Sequence, residues 1–331
     1  MACSASTGAK KNVRRGIARL LREIAASESS GAFAVRRLEE GSRYFAGRDA
    51  DGCAALLINS AGRGRVPLRL AGIEARFAVQ CRIAEPGVPE TSDTLTVILC
   101  VSRDPSIEAY FAGILDSLIT LLGPAPTTEQ INDTVDQLVE LFQKLAQPAR
   151  RSLTGLAGEL CVILLASDAS AAIDAWRIDP DERFDFIAGS LRLDVKSSAN
   201  RRRSHEVSFE QANPPPGTTG LFASIWIEQA GGGSSLSQLL SQIEERLAPS
   251  PGAASKLWTV VADTLGNTLP AAMSWRFDLP LAESSLLFFE AARVPAFRPP
   301  LPSGISAVRF VSDFGQALPS SLDALRASVG L

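Results

Sequence analysis

The residues best suited to chemistry lie in a single stretch of this chain. It reads Arg177-Ile178-Asp179-Pro180-Asp181-Glu182-Arg183-Phe184-Asp185-Phe186-Ile187-Ala188-Gly189, then Ser190-Leu191-Arg192-Leu193-Asp194-Val195-Lys196. Ala188-Gly189-Ser190 is a tight-turn signal between two short apolar runs, so 184–187 and 191–197 are expected to pair as a hairpin. Strand side chains alternate, which puts Asp194 and Lys196 on one face and Leu193 and Val195 on the other. Phe184 and Phe186 flank Asp185 in the same way. One face can pack on an interior while the other gathers two carboxylates and an ammonium. Such groups are costly to bury without partners, and their clustering marks a functional site. Upstream, Glu159 follows Gly155 and Gly158 among apolar neighbours, Leu156 and Leu160. Taken alone it reads as a solvent-facing residue. Its place one helix before the hairpin makes it a fourth candidate.

Composition limits what these groups can do. His205 is the single histidine, and the five cysteines are widely spaced with no CxxC pair. That excludes a His-rich metal centre, a zinc finger and a disulfide framework, and it points to a reducing compartment. Any metal must be held by oxygen ligands, which suits Mg²⁺ or Mn²⁺. There is no GxxxxGK[ST] loop, no GxSxG elbow, and Gly62-Arg63-Gly64 is a lone turn. His205 reads as structural or superficial, and Trp176, Trp226, Trp258 and Trp275 as core or interface residues. The 331 residues carry 36 acidic and 33 basic side chains, a net charge of −3. That excludes coating nucleic acid by bulk charge, but not a local basic groove. No uninterrupted apolar run approaches the length of a membrane span. A cytoplasmic protein is the expectation, although the first 22 residues are basic and lack acids.

The elements that must position the cluster follow from periodicity. Val13, Ile17, Leu20, Leu21 and Ile24 form a helical stripe over 13–26. Between 33 and 103, short apolar runs at 54–58, 65–70, 75–83 and 94–101 are separated by turn residues and predict antiparallel strands. Asp104-Pro105 opens a helix that ends at Gly123-Pro124, and further helices are expected at 127–146 and 151–167. Strands are expected at 183–189, 191–197 and 205–210. An apolar segment at 220–228, a helix at 235–247 and a strand at 257–262 follow, with strand candidates at 285–291 and 305–311. The domain boundaries expected from this pattern are 1–103 (a β-rich domain preceded by a basic helix), 104–150 (a helical connector), 151–264 (the core bearing the cluster) and 265–331 (an α/β extension).

A helix with Glu, a strand with Asp and a strand with Asp-x-Lys resembles the PD-(D/E)XK nuclease superfamily. More narrowly, Gly158-Glu159-Leu160, Asp185-Phe186, Asp194-Val195-Lys196-Ser197-Ser198 and Ser208-x-x-Gln211 resemble a bacterial group of PD-(D/E)XK motif proteins. Members of that group are often encoded near methyltransferases and other phage-defence genes. The resemblance implies an α+β / α/β fold with a restriction-endonuclease-like αβββαβ core over 151–264. It implies that Asp185, Asp194 and the backbone carbonyl of Val195 hold Mg²⁺ or Mn²⁺, with Glu159 completing the shell directly or through water. Lys196 would orient or activate the attacking water, and Gln211 would be an accessory polar residue. The third motif has Asp where Glu is commoner. The literal Pro-Asp dipeptide is Pro180-Asp181, so Asp181 competes with Asp185 for the first position. Arg201, Arg202 and Arg203 follow the Lys196 strand and are expected either to contact DNA phosphates beside the site or to form a solvated turn.

The activity so implied is that of a metal-dependent endodeoxyribonuclease, a hydrolase of phosphodiester bonds, in a restriction or phage-defence system. DNA, a methyltransferase or other defence-system proteins, and a second copy of the chain in a homo-oligomer are the expected partners, with no membrane. The alternative is a non-catalytic DNA-binding or assembly subunit that keeps the nuclease fold; a metabolic hydrolase is a weaker one. Residues 151–212 hold eight basic and ten acidic side chains. A bound cation would offset that acidity, so DNA affinity is expected to rise with divalent metal.

Overall fold

A computed structural model describes residues 16–60, 65–70, 72–247 and 250–320. The features expected at residues 13–15 and 62–64 lie outside these. The chain divides into two compact units, residues 1–142 and 143–331, both of mixed helix and strand. The first opens with α1 (Ile17–Glu23), then β1 (Ala32–Arg37), β2 (Tyr44–Arg48), β3 (Ala54–Asn59), β4 (Leu68–Leu70), β5 (Ile73–Ala84) and β6 (Thr91–Cys100). These strands pair in the order β1-β2-β3-β6-β5-β4, antiparallel throughout, and an added parallel pairing of β1 with β5 closes five of them into a barrel. Closure removes the free edges that an open sheet would present. Phe33, Val35, Phe45, Leu57, Leu95 and Val97 fill its interior.

Two helices follow, α2 (Pro105–Leu122) and α3 (Thr128–Lys144). Asp104 caps α2 by accepting from Ser106 N at 2.8 Å. By length and apolar composition α2 could cross a membrane. Its Tyr110, Phe111, Ile114, Leu115 and Leu118 are buried within the unit, however, and its Glu108 pairs with Arg48, as in a core helix.

The second unit carries the predicted cluster. It begins with α4 (Leu153–Leu165) and α5 (Ala169–Ala175), then β7 (Phe186–Ala188), β8 (Leu191–Ser198), β9 (Ser204–Ser208), the short α6 (Phe209–Ala212) and β10 (Thr219–Trp226). After β11 (Gln229–Ser235) come α7 (Leu236–Leu247), α8 (Pro251–Leu265), α9 (Leu269–Met273), β12 (Arg276–Phe277), α10 (Leu279–Ser285), β13 (Leu287–Glu290) and β14 (Arg309–Asp313). The central sheet runs β13-β10-β8-β7, with β8 and β10 parallel and the two edge pairings antiparallel.

Three departures from the sequence expectations have physical causes. The segment 257–262 is helical, within α8. Its run of Leu257, Trp258, Val260 and Val261 is buried, and a short buried apolar run has no period that separates strand from helix. Helix α5 was not expected. Asp168 caps it through Ala171 N, and its buried face is only Ala169, Ala172 and Ile173. Strand β9 does not join the central sheet as the third strand of an αβββαβ core. It pairs with β14, and its Val207 packs with Phe222, Phe289 and Phe314.

Helix α4 lies close against the sheet because of one glycine. A Cβ on Gly158 would overlap Ser197 Oγ on β8 and crowd Ile225 on β10. Gly158→Ala should therefore cost about 1–3 kcal/mol by overpacking. Ser197 Oγ is buried with no hydrogen-bond partner among the described residues. Adding Ser197→Ala to Gly158→Ala should accordingly recover part of the loss. Thermal unfolding of the single and double variants checks this, and equal melting of the two would contradict it.

Candidate active site

The hairpin forms as its turn residues require. Phe186 pairs with Leu193, Ile187 with Arg192 and Ala188 with Leu191, and Gly189 takes a φ of 53° in the connecting turn. One step further in the same register, Asp185 stands opposite Asp194. Asp185 sits just before β7 rather than inside it. Its Oδ2 accepts the backbone N–H of Val195 at 2.8 Å, so the carboxylate is tied to the strand that carries Asp194 and Lys196. Asp185 and Asp194 are both buried.

Asp194 is held by a side-chain triangle. Its Oδ1 accepts from Gln211 Nε2 at 2.7 Å, and its Oδ2 lies 2.8 Å from Lys196 Nζ. Gln211 Oε1 accepts from Lys196 Nζ at 3.1 Å and from Ser208 N at 3.1 Å. With acceptors on the Nε2 side and donors on the Oε1 side, the amide has one satisfactory orientation. Ser208 Oγ in turn accepts from Gln211 N, which completes the capping box of α6. Burial and the nearby Asp185 charge push the Asp194 carboxyl above the ordinary carboxylate range, and Lys196 opposes them.

Glu159, on α4, belongs to a second network. Its Oε2 accepts from Trp176 Nε1 at 2.7 Å, and both its oxygens accept from Arg177 Nη2 at 2.9–3.0 Å. Burial and Asp185 push its pKa up, while Arg177 and Trp176 draw it down. Arg177 also donates Nε to Asp185 Oδ1 at 3.3 Å, and its backbone N–H bonds the Asp185 carbonyl at 2.8 Å. Arg151 donates Nη1 to the same Asp185 oxygen at 2.7 Å. Three carboxylates thus face three cations: Arg151, Arg177 and Lys196. Asp185 links the two networks.

Most of these groups, though not Trp176 or Arg177, line one cleft of about 670 Å³. Glu159, Asp185, Asp194, Val195, Lys196 and Gln211 all contribute to its wall. Asp181 lies at the rim, largely exposed and paired with Arg150, so Asp185 is the carboxylate that meets Asp194. None of Arg201, Arg202 and Arg203 lines the cleft. Arg203 donates to the carbonyls of Ser224 and Ser285 and stacks on Trp226, while Arg201 pairs with Glu228. The arginines in the cleft wall are instead Arg150, Arg151, Arg183 and Arg309. His205 is buried against Ser224 Oγ and Phe314, and burial pushes its pKa down to about 4. It is a neutral structural residue.

The sequence reading gave no site role to Arg151 or Arg177, and took Trp176 as a core or interface residue without its bond to Glu159. The signal was present as an arginine beside tryptophan between apolar segments, but residue type alone does not tell a buried guanidinium from a surface one.

The donor set fits a hard divalent ion. Asp194 Oδ2 is buried and, despite its ion pair with Lys196, has no aligned hydrogen bond among the described residues. Among those residues no three His, Cys, Asp or Glu cluster tightly enough for an all-protein cage. Mg²⁺ needs none, since it is usually held by one or two carboxylates plus water and substrate phosphate. Asp185, Asp194 and the Val195 carbonyl are the residues that would hold it. Glu159 is committed to Arg177 and Trp176.

The buried pair makes a stability prediction. Arg177→Met should destabilise the protein by about 3–5 kcal/mol, because it leaves Glu159 buried with only the longer 3.8 Å pair to Arg151. Adding Glu159→Leu should recover much of that loss, since an apolar pair of similar volume does not need a counter-charge. Denaturant unfolding measures both, and additive losses would contradict the pairing.

Comparison with known proteins agrees with this geometry. Residues 17–315 match the model of the family DUF4420, described as "Putative PD-(D/E)XK family member". No curated protein and no solved structure matches the chain. A match over nearly the whole length, with the Asp, Asp-x-Lys and helix Glu gathered at one cleft, places the chain in the DUF4420 family of PD-(D/E)XK proteins.

Proposed function

We propose that the second unit is a Mg²⁺- or Mn²⁺-dependent DNA endonuclease. The observation that carries this is the convergence of Asp185, Asp194 and Lys196, with a buried Asp194 oxygen that lacks an aligned donor. Family membership and the arginines of the cleft wall support an anionic polymer as substrate. A divalent ion at such a site polarises a phosphoryl oxygen and lowers the pKa of bound water.

The chain's own residues supply the rest. Asp185, fixed by the Val195 N–H, and Asp194, fixed by Gln211, form a preorganised pair of hard ligands. Lys196 Nζ, held between Asp194 and Gln211, places a charged donor where negative charge builds on the attacked phosphate. Gln211 bonds both and so reduces the rotamer freedom lost on binding. Glu159, in the cleft wall, acts through Arg177 to set the position of Asp185. Arg150, Arg183 and Arg309 are the proposed contacts to the DNA backbone.

A second reading has one observation in its favour. The carboxylates are already balanced by Arg151, Arg177 and Lys196, as a non-catalytic DNA-binding subunit could retain them. Calorimetry with divalent metal separates the two, since the nuclease reading requires binding.

The test is cleavage of one DNA in methylated and unmethylated form, the pair suited to a restriction-type setting. Asp194→Asn and Lys196→Ala should each lower the Mg²⁺-dependent rate by at least about 10²–10³-fold. Cleavage that survives both substitutions, or a purified wild type that cuts neither DNA with Mg²⁺ or Mn²⁺, would overturn the proposal. The raised Asp194 pKa adds a pH prediction. Metal binds the deprotonated carboxylate, so a raised pKa lets protons compete at higher pH. Mg²⁺ affinity should already weaken between neutral and mildly acid pH, where an ordinary Asp, pKa about 3.9, stays ionised. A calorimetric affinity flat across that range would contradict the assignment.

A further inference from the structure

Resting on that reading of the site, we propose that Arg151 is an internal competitor of the divalent ion. Its guanidinium sits on Asp185 Oδ1 and must leave that oxygen for the metal to bind. The balance of charge carries the inference. Glu159, Asp185 and Asp194 are matched by Arg151, Arg177 and Lys196, so an added divalent cation leaves a surplus of positive charge in a buried cluster. One of the three cations has to give way.

The geometry selects Arg151. The Arg177 side chain is 0% exposed and is locked by Glu159, whereas that of Arg151 is 30% exposed. Besides a longer 3.8 Å ion pair with Glu159 Oε1, the other bonds of Arg151 run to carbonyls, Pro180 O from Nε at 2.6 Å and Glu182 O from Nη2 at 3.1 Å, on a loop at the cleft rim. Water can replace each of these. Once Arg151 moves, Asp185 Oδ1 keeps only the long 3.3 Å bond from Arg177 Nε, which leaves it a lone pair for a cation. Arg151 stays in the cleft wall, where a substrate phosphate can receive it. Metal and phosphate thereby become linked ligands: the ion releases a guanidinium that the phosphate then binds.

Calorimetric titration of the full chain with Mn²⁺ tests this. Arg151→Gln should tighten binding by about tenfold or more, because a unit charge next to the ion is removed. Arg151→Lys, which keeps the charge, should stay near wild type. If the wild type binds Mn²⁺ and Arg151→Gln binds no more tightly, the competition is wrong while the metal site stands. The same holds if Gln and Lys tighten it equally. If no variant binds Mn²⁺ at all, the nuclease reading fails and this inference with it. A measurement on the unsubstituted chain does not depend on the variants folding. The Arg151 Nε–H, held on Pro180 O, should exchange with water faster by NMR at saturating Mg²⁺, and an unchanged rate would overturn the proposal.

Discussion

Asp185 is the point on which the second unit's site depends. One of its oxygens is fixed by the backbone of the neighbouring strand, and the other takes two guanidinium groups. A carboxylate so buried is tolerable only because three donors answer it. Each donor then brings a further element into place. The Val195 N–H keeps β7 in register with β8, so that Asp194 and Lys196 share its neighbourhood. Arg177 reaches back to Glu159 and thereby anchors α4, while Arg151 holds the 180–182 loop. The close approach of α4 through Gly158 brings Glu159 within reach of Arg177, so packing and electrostatics specify the same arrangement.

Under the proposed function, this lets an acidic chain present a site for an acidic polymer. The carboxylates are screened inside a neutral network, and the arginines of the cleft wall are the charges a phosphate would meet. Net charge describes the whole surface, whereas recognition depends on which charges are already spent. Residues 201–203 show the difference. Three consecutive arginines look like a phosphate contact, yet Arg203 is spent on backbone carbonyls and Arg201 on Glu228. Arg150 and Arg309 are also paired, with Asp181 and Glu206, but they lie in the cleft wall beside the exposed Arg183.

Much of the site was legible because it is local. The turn at Gly189 and the alternation from Leu191 to Lys196 determine a hairpin, and the hairpin determines which carboxylates face each other. Gln211 was legible only through the family resemblance carried by Ser208-x-x-Gln211, and the structure makes that motif a capping box that reaches Asp194. What was not legible is long-range. Strand β9 pairs with β14, more than a hundred positions away, and a guanidinium buried at Arg177 has no periodic signature. The partners of Glu159 were hidden for the same reason, since Trp176 and Arg177 lie beyond the helix that carries it. Helix α8 was misread because a fully buried apolar run lacks the alternation on which the reading relied.

The central claim is that Asp185 and Asp194 form the cation site while Glu159 serves only to hold it. The most direct measurement is anomalous diffraction from crystals of the full chain containing Mn²⁺. The account predicts one strong peak between the Asp185 and Asp194 carboxylates, beside the Val195 carbonyl, with Glu159 still bonded to Arg177. A peak on Glu159, or ordered Mn²⁺ elsewhere with none between the two aspartates, would contradict it.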